Sequence, residues 1–142
     1  MMSNSHDFYS DDHVRAILEN ARVIAMVGAS SNVVRPSYGV MKFLQARGRR
    51  VYPVNPQIVG QEILGEKVFA EIGEIPEKID MVDIFRKSEA VGPIVDQAIA
   101  LNVPVVWMQL GVRNDVVAAR AEAMGVRVIM NRCPAIEFER LS

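Results

Sequence analysis

Residues 23–31 read Val23-Ile24-Ala25-Met26-Val27-Gly28-Ala29-Ser30-Ser31, and the fold class is most clearly indicated by this segment. Five apolar residues follow one another without alternation, which is typical of a strand buried on both faces of a parallel sheet. Gly28 ends that strand and small residues follow it. A helix is then predicted from Pro36 or Ser37 to Gly48, a glycine suited to the left-handed position after a helix. Strand, small-residue turn and helix form half of a βαβ unit.

The same alternation continues along the chain. Further strands are predicted at 50–54, 79–85, 103–108 and 126–130. Helices are predicted after the N-caps Ser10 and Asn114 and from Gly92-Pro93. Because Pro53 lacks an N–H group, the run 50–54 is expected to form a strand end or to pair irregularly. Residues 58–70 are expected to form a loop that can include a short extended segment.

Strands separated by helices predict an α/β fold with a Rossmann-like, doubly wound, mainly parallel five-stranded sheet. A chain of 142 residues suits one domain. That domain is expected to span residues 10–142, and residues 1–9 are expected to be disordered or loosely attached.

Composition excludes several classes of protein. The net charge of −1 gives no general attraction to nucleic acid or to an anionic membrane. The single cysteine excludes an intramolecular disulfide, and neither a secretory leader nor a membrane span is visible, so a cytoplasmic location is expected.

A binding site is expected at the carboxyl end of the first strand, between Gly28 and Tyr38, because ligands of such sheets bind where the strand order reverses. Gly28, Ala29, Ser30 and Ser31 let an anion approach the backbone, the following helix offers free N–H groups, and Arg35 adds a cationic donor. The same small residues would also suit any tight turn between strand and helix.

The loop lacks the glycine fingerprint of dinucleotide-binding proteins, because Ser30 and Val33 replace two of its glycines. Val54-Asn55-Pro56 stands where that fingerprint requires an acidic residue, so NAD is disfavoured as the ligand.

Other side chains receive plainer interpretations. His6 and His13 precede the first strand and are expected at the surface. Asp80 and Asp83 lie on opposite faces of a strand, so they do not form a catalytic pair. Trp107 is expected in the core and Gln109, two residues later, in the site. Cys133 is either inert packing or a thiolate favoured by Arg132, and no metal-binding or catalytic cluster is apparent.

Six blocks together resemble a known family, the small stand-alone CoA-binding proteins, and also the nucleotide-binding domain of the succinyl-CoA ligase alpha subunit. The blocks are Val27-Gly28-Ala29-Ser30, Arg35-Pro36-Ser37-Tyr38-Gly39-Val40, Val51-Tyr52-Pro53-Val54-Asn55-Pro56, Phe85-Arg86-Lys87-Ser88, Val106-Trp107-Met108-Gln109-Leu110-Gly111 and Arg132-Cys133-Pro134. The resemblance extends from about residue 10 to the end.

The resemblance implies that the ligand is coenzyme A or an acyl-CoA. It implies contacts from Gly28 to Ser31, Arg35, Pro36, Ser37, Tyr38, Val54, Asn55, Pro56, Phe85, Arg86, Gln109 and Gly111. The ligase relatives use a phosphorylated histidine from a following domain, for which this chain has no counterpart, so a binding, carrier or sensing module without autonomous catalysis is expected. Three alternatives stay open: a component of an acyl-CoA ligase or transferase completed by a partner protein, a nicotinamide-nucleotide-binding regulator, and a redox role for Cys133.

Overall fold

A central parallel sheet organises the chain, whose residues 6–142 are described by a computed structural model. The strands in chain order are β1 (Val23–Val27), β2 (Arg50–Val54), β3 (Glu62–Ile63), β4 (Glu66–Lys67), β5 (Met81–Ile84), β6 (Val105–Met108) and β7 (Arg127–Ile129). Five of them pair in the order β2-β1-β5-β6-β7, and every pairing in this sheet is parallel. The predicted Rossmann-like α/β fold is confirmed.

Helices cover both faces of the sheet. They are α1 (Asp11–Asn20), α2 (Pro36–Ala46), α3 (Val91–Ala100), α4 (Asp115–Ala123) and α5 (Pro134–Leu141). One core forms where α3 and α4 pack on the sheet, and a second forms where α1, α2 and α5 pack on the opposite face. Alternate residues of each strand therefore enter different cores, as the period of two requires.

The helix starts agree with the sequence signals. The Ser10 hydroxyl accepts the N–H of His13 at 3.2 Å, and the Asn114 side chain accepts the N–H of Val117 at 3.1 Å. Each cap satisfies one of the backbone donors that a helix leaves unpaired at its start. Proline opens α2 at its first position, where a missing N–H costs nothing.

Three elements differ from the expectations. Strands β3 and β4 form a small antiparallel hairpin within the predicted 58–70 loop. The final helix α5 was not predicted, although Pro134 marks its start. Strands β1 and β2 have the predicted bounds, whereas β5, β6 and β7 are shorter than predicted, and residues such as Ile79 and Val103 are buried without belonging to a strand. Pro53 is accommodated because β2 is an edge strand.

The N-terminal segment packs more closely than expected where it is described. Residues 1–5 of the predicted loose segment lie outside the described residues. The surface position predicted for His6 was wrong, since its ring is buried, lies 2.6 Å from the Tyr9 hydroxyl and lies 3.3 Å from a Glu122 carboxylate oxygen. Asp7 forms an ion pair with Arg113 at 2.8 Å. Polar contacts therefore attach residues 6–9 to the edge of the sheet beside β7.

Within residues 6–142, no helix combines the length and the apolar character needed to cross a bilayer.

Candidate functional site

A crevice with a volume of about 660 Å³ opens at the carboxyl ends of the parallel strands. The loops after β1, β2, β5 and β6 and the start of α2 form its walls. Its lining comprises Gly28, Ala29, Ser30, Ser31, Arg35, Pro36, Ser37, Asn55, Gln57, Ile58, Phe85, Arg86, Lys87, Gln109, Leu110, Gly111 and Val112. It lies where the strand order reverses, since β1 has β2 on one side and β5 on the other. This is the place where open α/β sheets bind their ligands.

Gly28 brings the loop after β1 against the end of β5. Its φ angle is +85°, and a Cβ atom built there would lie 2.2 Å from the carbonyl oxygen of Phe85. No other residue fits this combination of left-handed backbone and close approach. The loop after β1 therefore requires glycine at this position of the lining.

The backbone donors of this loop divide into two groups. The N–H groups of Gly28 and Ala29 both donate to the carbonyl oxygen of Val54, at 2.9 and 3.4 Å. Those of Ser30 and Ser31 are left for a ligand, next to the positive end of the α2 dipole. Loop and helix start together can hold an anion such as phosphate.

The charged side chains in the lining are all cations. Arg35, Arg86 and Lys87 are exposed, and none of them forms an ion pair with another described residue. No aspartate or glutamate lines the crevice among residues 6–142. The site therefore presents unneutralised positive charge, although the whole chain carries a net charge of −1.

Asn55 connects the loops after β1 and β2. Its side-chain nitrogen donates to the carbonyl oxygen of Ala29 at 2.9 Å, while its side-chain oxygen accepts the N–H of Gln57 at 2.9 Å. The residue thus fixes the shape of one wall. Only one of its amide hydrogens stays available to a ligand.

The opposite wall, after β6, is fixed by side chains from neighbouring loops. The Asn131 side chain accepts the N–H of Gly111 at 2.8 Å, and the Ser88 hydroxyl accepts the N–H of Arg113 at 2.9 Å. Trp107 is fully buried, as predicted, and donates from its indole nitrogen to the carbonyl oxygen of Arg132. Gln109, only 6% exposed, reaches the lining from this wall.

Most of the predicted site residues converge on the crevice, and three do not line it. Tyr38 packs against the core between the sheet and α2, Val54 is buried, and Pro56 begins a short 3-10 turn beside another cavity. Five lining residues were not predicted: Gln57, Ile58, Lys87, Leu110 and Val112. Lys87 and Leu110 already stand in the quoted blocks, while Gln57, Ile58 and Val112 follow a block by one or two positions, so extending those blocks would have found them.

Cys133 does not line the crevice. It is 6% exposed, immediately precedes α5 and belongs to the apolar core that includes Trp107 and Ala29. The guanidinium of Arg132 lies 5.0 Å from the centre of the Tyr9 ring. This placement agrees with the packing interpretation of the cysteine.

Comparison with known proteins gives a consistent picture. Residues 22–139 match the family described as CoA binding domain. An uncharacterized protein from Bacillus subtilis, YneT, is 35% identical over 124 residues, which cover 87% of this chain and 90% of that protein. The solved structure of a hypothetical protein from Pyrococcus horikoshii is 38% identical, covers 99% of this chain and 98% of that one, and gives a TM-score of 0.91.

A larger protein shares the same fold over part of its length. The dinucleotide-forming acetyl-coenzyme A synthetase 1 of Ca. Korarchaeum cryptofilum is 25% identical, with a TM-score of 0.67 over 79% of this chain but only 26% of that one. The family match spans most of the chain, from residue 22 to residue 139. This chain therefore belongs to the CoA-binding domain family.

Proposed function

We propose that this protein binds coenzyme A or an acyl-CoA in the crevice and acts as a carrier or sensor without catalysis of its own. The observation that carries the proposal is the convergence of three unpaired cations, Arg35, Arg86 and Lys87, with the start of α2. CoA carries a diphosphate and a ribose phosphate, so its head needs several positive groups. A lining that has no carboxylate among residues 6–142 suits this charge.

The shape of the crevice supports the same ligand. In the proposed arrangement the diphosphate occupies the centre, at the loop after β1, and the remainder extends along both walls. The wall after β2 offers Ile58 and Gln57 to a base, and the wall after β6 offers Leu110 and Val112 to an apolar arm. An elongated molecule with a charged centre matches this arrangement.

Calorimetric titration tests the proposal. CoA, acetyl-CoA and dephospho-CoA, which lacks the ribose phosphate, would be titrated separately into the purified protein. CoA is expected to bind more tightly than dephospho-CoA, because dephospho-CoA presents one phosphate fewer to the cations. Equal affinities, or no heat with CoA at millimolar concentration, would refute the assignment.

A second candidate is a component of an acyl-CoA ligase or transferase that a partner chain completes. It is favoured by the likeness to one part of the Korarchaeum synthetase. Purification from the source cells under mild conditions distinguishes the two functions, since this candidate requires a stoichiometric partner protein and the carrier or sensor does not.

The other two alternatives receive less support. A nicotinamide regulator would need an acidic residue at the end of β2, where Asn55 stands. A redox role would need the Cys133 sulfur in the crevice, whereas Cys133 lies in the core.

A further inference from the structure

Asp83 is a buried carboxyl group to which the proposed function gives no role. It lies on β5 between Met26 of β1 and Trp107 of β6, on the face covered by α1, α2 and α5. Its exposure is 0%, and neither carboxyl oxygen accepts a hydrogen bond from a described residue. Burial alone raises the pKa of Asp83 well above its ordinary value, and no charged group contributes to that shift. An ionised carboxylate in such a place would be very unfavourable.

Gln109 supplies a second buried acceptor without a donor. Its side-chain oxygen is buried and has no hydrogen-bond partner among the described residues. The N–H of Gln109 donates to the carbonyl oxygen of Ile84 at 3.2 Å, so the ladder between β5 and β6 continues to this residue. Because side chains alternate along a strand, Gln109 lies on the same face as Trp107 and hence as Asp83.

The two residues are diagonal neighbours on adjacent strands. With adjacent strands about 4.8 Å apart and a rise of about 3.3 Å per residue, the Cα atoms of such neighbours are about 8 Å apart, a distance that a long side chain such as glutamine can span. Among the described residues, both Asp83 carboxyl oxygens and the Gln109 side-chain oxygen lack a hydrogen-bond partner. One proton on the carboxyl group would give the Gln109 oxygen a donor and would use the carboxyl oxygen that carries it, while the other carboxyl oxygen stays without a donor. A buried acceptor without a donor loses a large part of its solvation.

We propose that Asp83 is a positioning residue whose protonated carboxyl group donates a hydrogen bond to the side-chain oxygen of Gln109. This bond turns the amide nitrogen of Gln109 toward the crevice, where it can donate to a carbonyl or phosphate oxygen of the ligand. The effect on ligand binding rests on the proposed function, whereas the bond itself is a property of the protein without ligand.

The bond is tested first without ligand. In infrared difference spectra between the protein and Asp83→Asn, a carboxylic acid carbonyl band is expected at pH 7. In NMR spectra, the side-chain amide signals of Gln109 are expected to shift in Asp83→Val, which has no donor, and to shift less in Asp83→Asn, which keeps one. A carboxylate band at pH 7 would overturn the proposal. An acid band with an unmoved Gln109 signal would also overturn it, because the proton would then serve another acceptor or a buried water.

The effect on binding is tested second, by titration with CoA. Asp83→Val is expected to weaken CoA binding about fivefold, the equivalent of one hydrogen bond. Asp83→Asn is expected to rescue most of that loss, and Asp83→Val is expected to have no further effect when Gln109→Leu is already present. Additive effects of the two substitutions would contradict the coupling. If the unmodified protein does not bind CoA, the proposed function is wrong, while the spectra still show whether Asp83 donates a hydrogen bond to Gln109.

Discussion

At the scale of single residues, Gly28 is a position at which the backbone conformation and a close backbone contact both exclude a side chain. A side chain there would meet the Phe85 carbonyl oxygen at 2.2 Å in a backbone conformation with φ of +85°. Gly28→Ala is therefore expected to lower the free energy of unfolding by about 2 to 4 kcal/mol and to distort the loop after β1. Denaturant unfolding measures this change.

Gly39→Ala is the matched control for that substitution. Gly39 lies within α2, and nothing would lie within 4 Å of its Cβ atom. Alanine is expected to stabilise the protein there by about 0.5 to 1 kcal/mol, because glycine weakens helix interiors. Equal effects at the two positions would contradict the role given to Gly28.

Arg35 is the residue at which charge alone can be tested. It is the N-cap of α2, it is exposed, and no described residue pairs with it. Arg35→Glu is expected to abolish measurable CoA binding and to leave the protein folded, because a carboxylate would replace the cation that we propose to bind phosphate at the helix start. Lys42→Glu reverses an exposed charge on the same helix outside the crevice, and is expected to bind CoA nearly normally. Titration measures the CoA affinity of both variants, and circular dichroism checks that both are folded. An Arg35→Glu variant with unchanged affinity would exclude Arg35 from the site.

At the scale of elements, the end of β2 is expected to set the preference between CoA and NAD. An NAD site places a carboxylate there for the ribose hydroxyls, and that carboxylate would repel the ribose phosphate of CoA. Since Asn55 is neutral, CoA is expected to bind at least about tenfold more tightly than NAD, a difference of roughly 1.4 kcal/mol. Competitive titration measures the ratio, and equal affinities would contradict the argument.

The substitution Asn55→Asp tests this preference, but it also removes a hydrogen bond between the loops after β1 and β2. Asn55 donates to the Ala29 carbonyl oxygen at 2.9 Å, and aspartate would place an acceptor against an acceptor. The variant is expected to lose CoA affinity selectively, and also some stability. The CoA to NAD ratio is therefore the informative quantity, because a distorted loop weakens both ligands while a carboxylate weakens CoA more.

Sequence patterns predicted the elements whose signals are local. Continuous apolar runs identified the strands, and Ser10 and Asn114 identified two helix starts. The hairpin of β3 and β4 was missed because its strands have two residues each, too few to show alternation. Most of the residues predicted for the site lie together in the crevice, but the contacts that Asn55 and Asn131 make across loops depend on tertiary geometry that no local pattern encodes.

At the scale of the whole molecule, Asp83 is expected to make stability depend on pH. Burial raises its pKa well above the ordinary value, whereas in the unfolded chain an aspartate titrates near about 3.9. Between these two values the folded chain holds a proton that the unfolded chain has lost, so the free energy of unfolding falls as pH rises through that window. The contribution is fully present below the unfolded value.

Urea unfolding at a series of pH values above about 3.9, where the aspartate of the unfolded chain has lost its proton, measures that effect. Asp83→Asn is expected to flatten the decline, because asparagine carries no titrating proton. Parallel curves for the protein and Asp83→Asn would show that the carboxyl group does not titrate differently in the folded state.

At the scale of the whole molecule, the protein without a partner is also expected to catalyse no reaction of CoA thioesters. Thioester hydrolysis or acyl-CoA synthesis needs a nucleophile with an adjacent base, and the crevice lining among residues 6–142 contains hydroxyl groups from Ser30, Ser31 and Ser37 but no histidine or carboxylate. Purified protein is therefore expected to show no nucleotide-dependent acyl-CoA synthesis and no thioester hydrolysis in a free-thiol assay. The Arg35→Glu variant is the control for contaminating activity, since a contaminant would persist when the crevice no longer binds CoA. Turnover of about 1 per second or faster, lost in that variant, would show that the protein is an enzyme and not only a binding module.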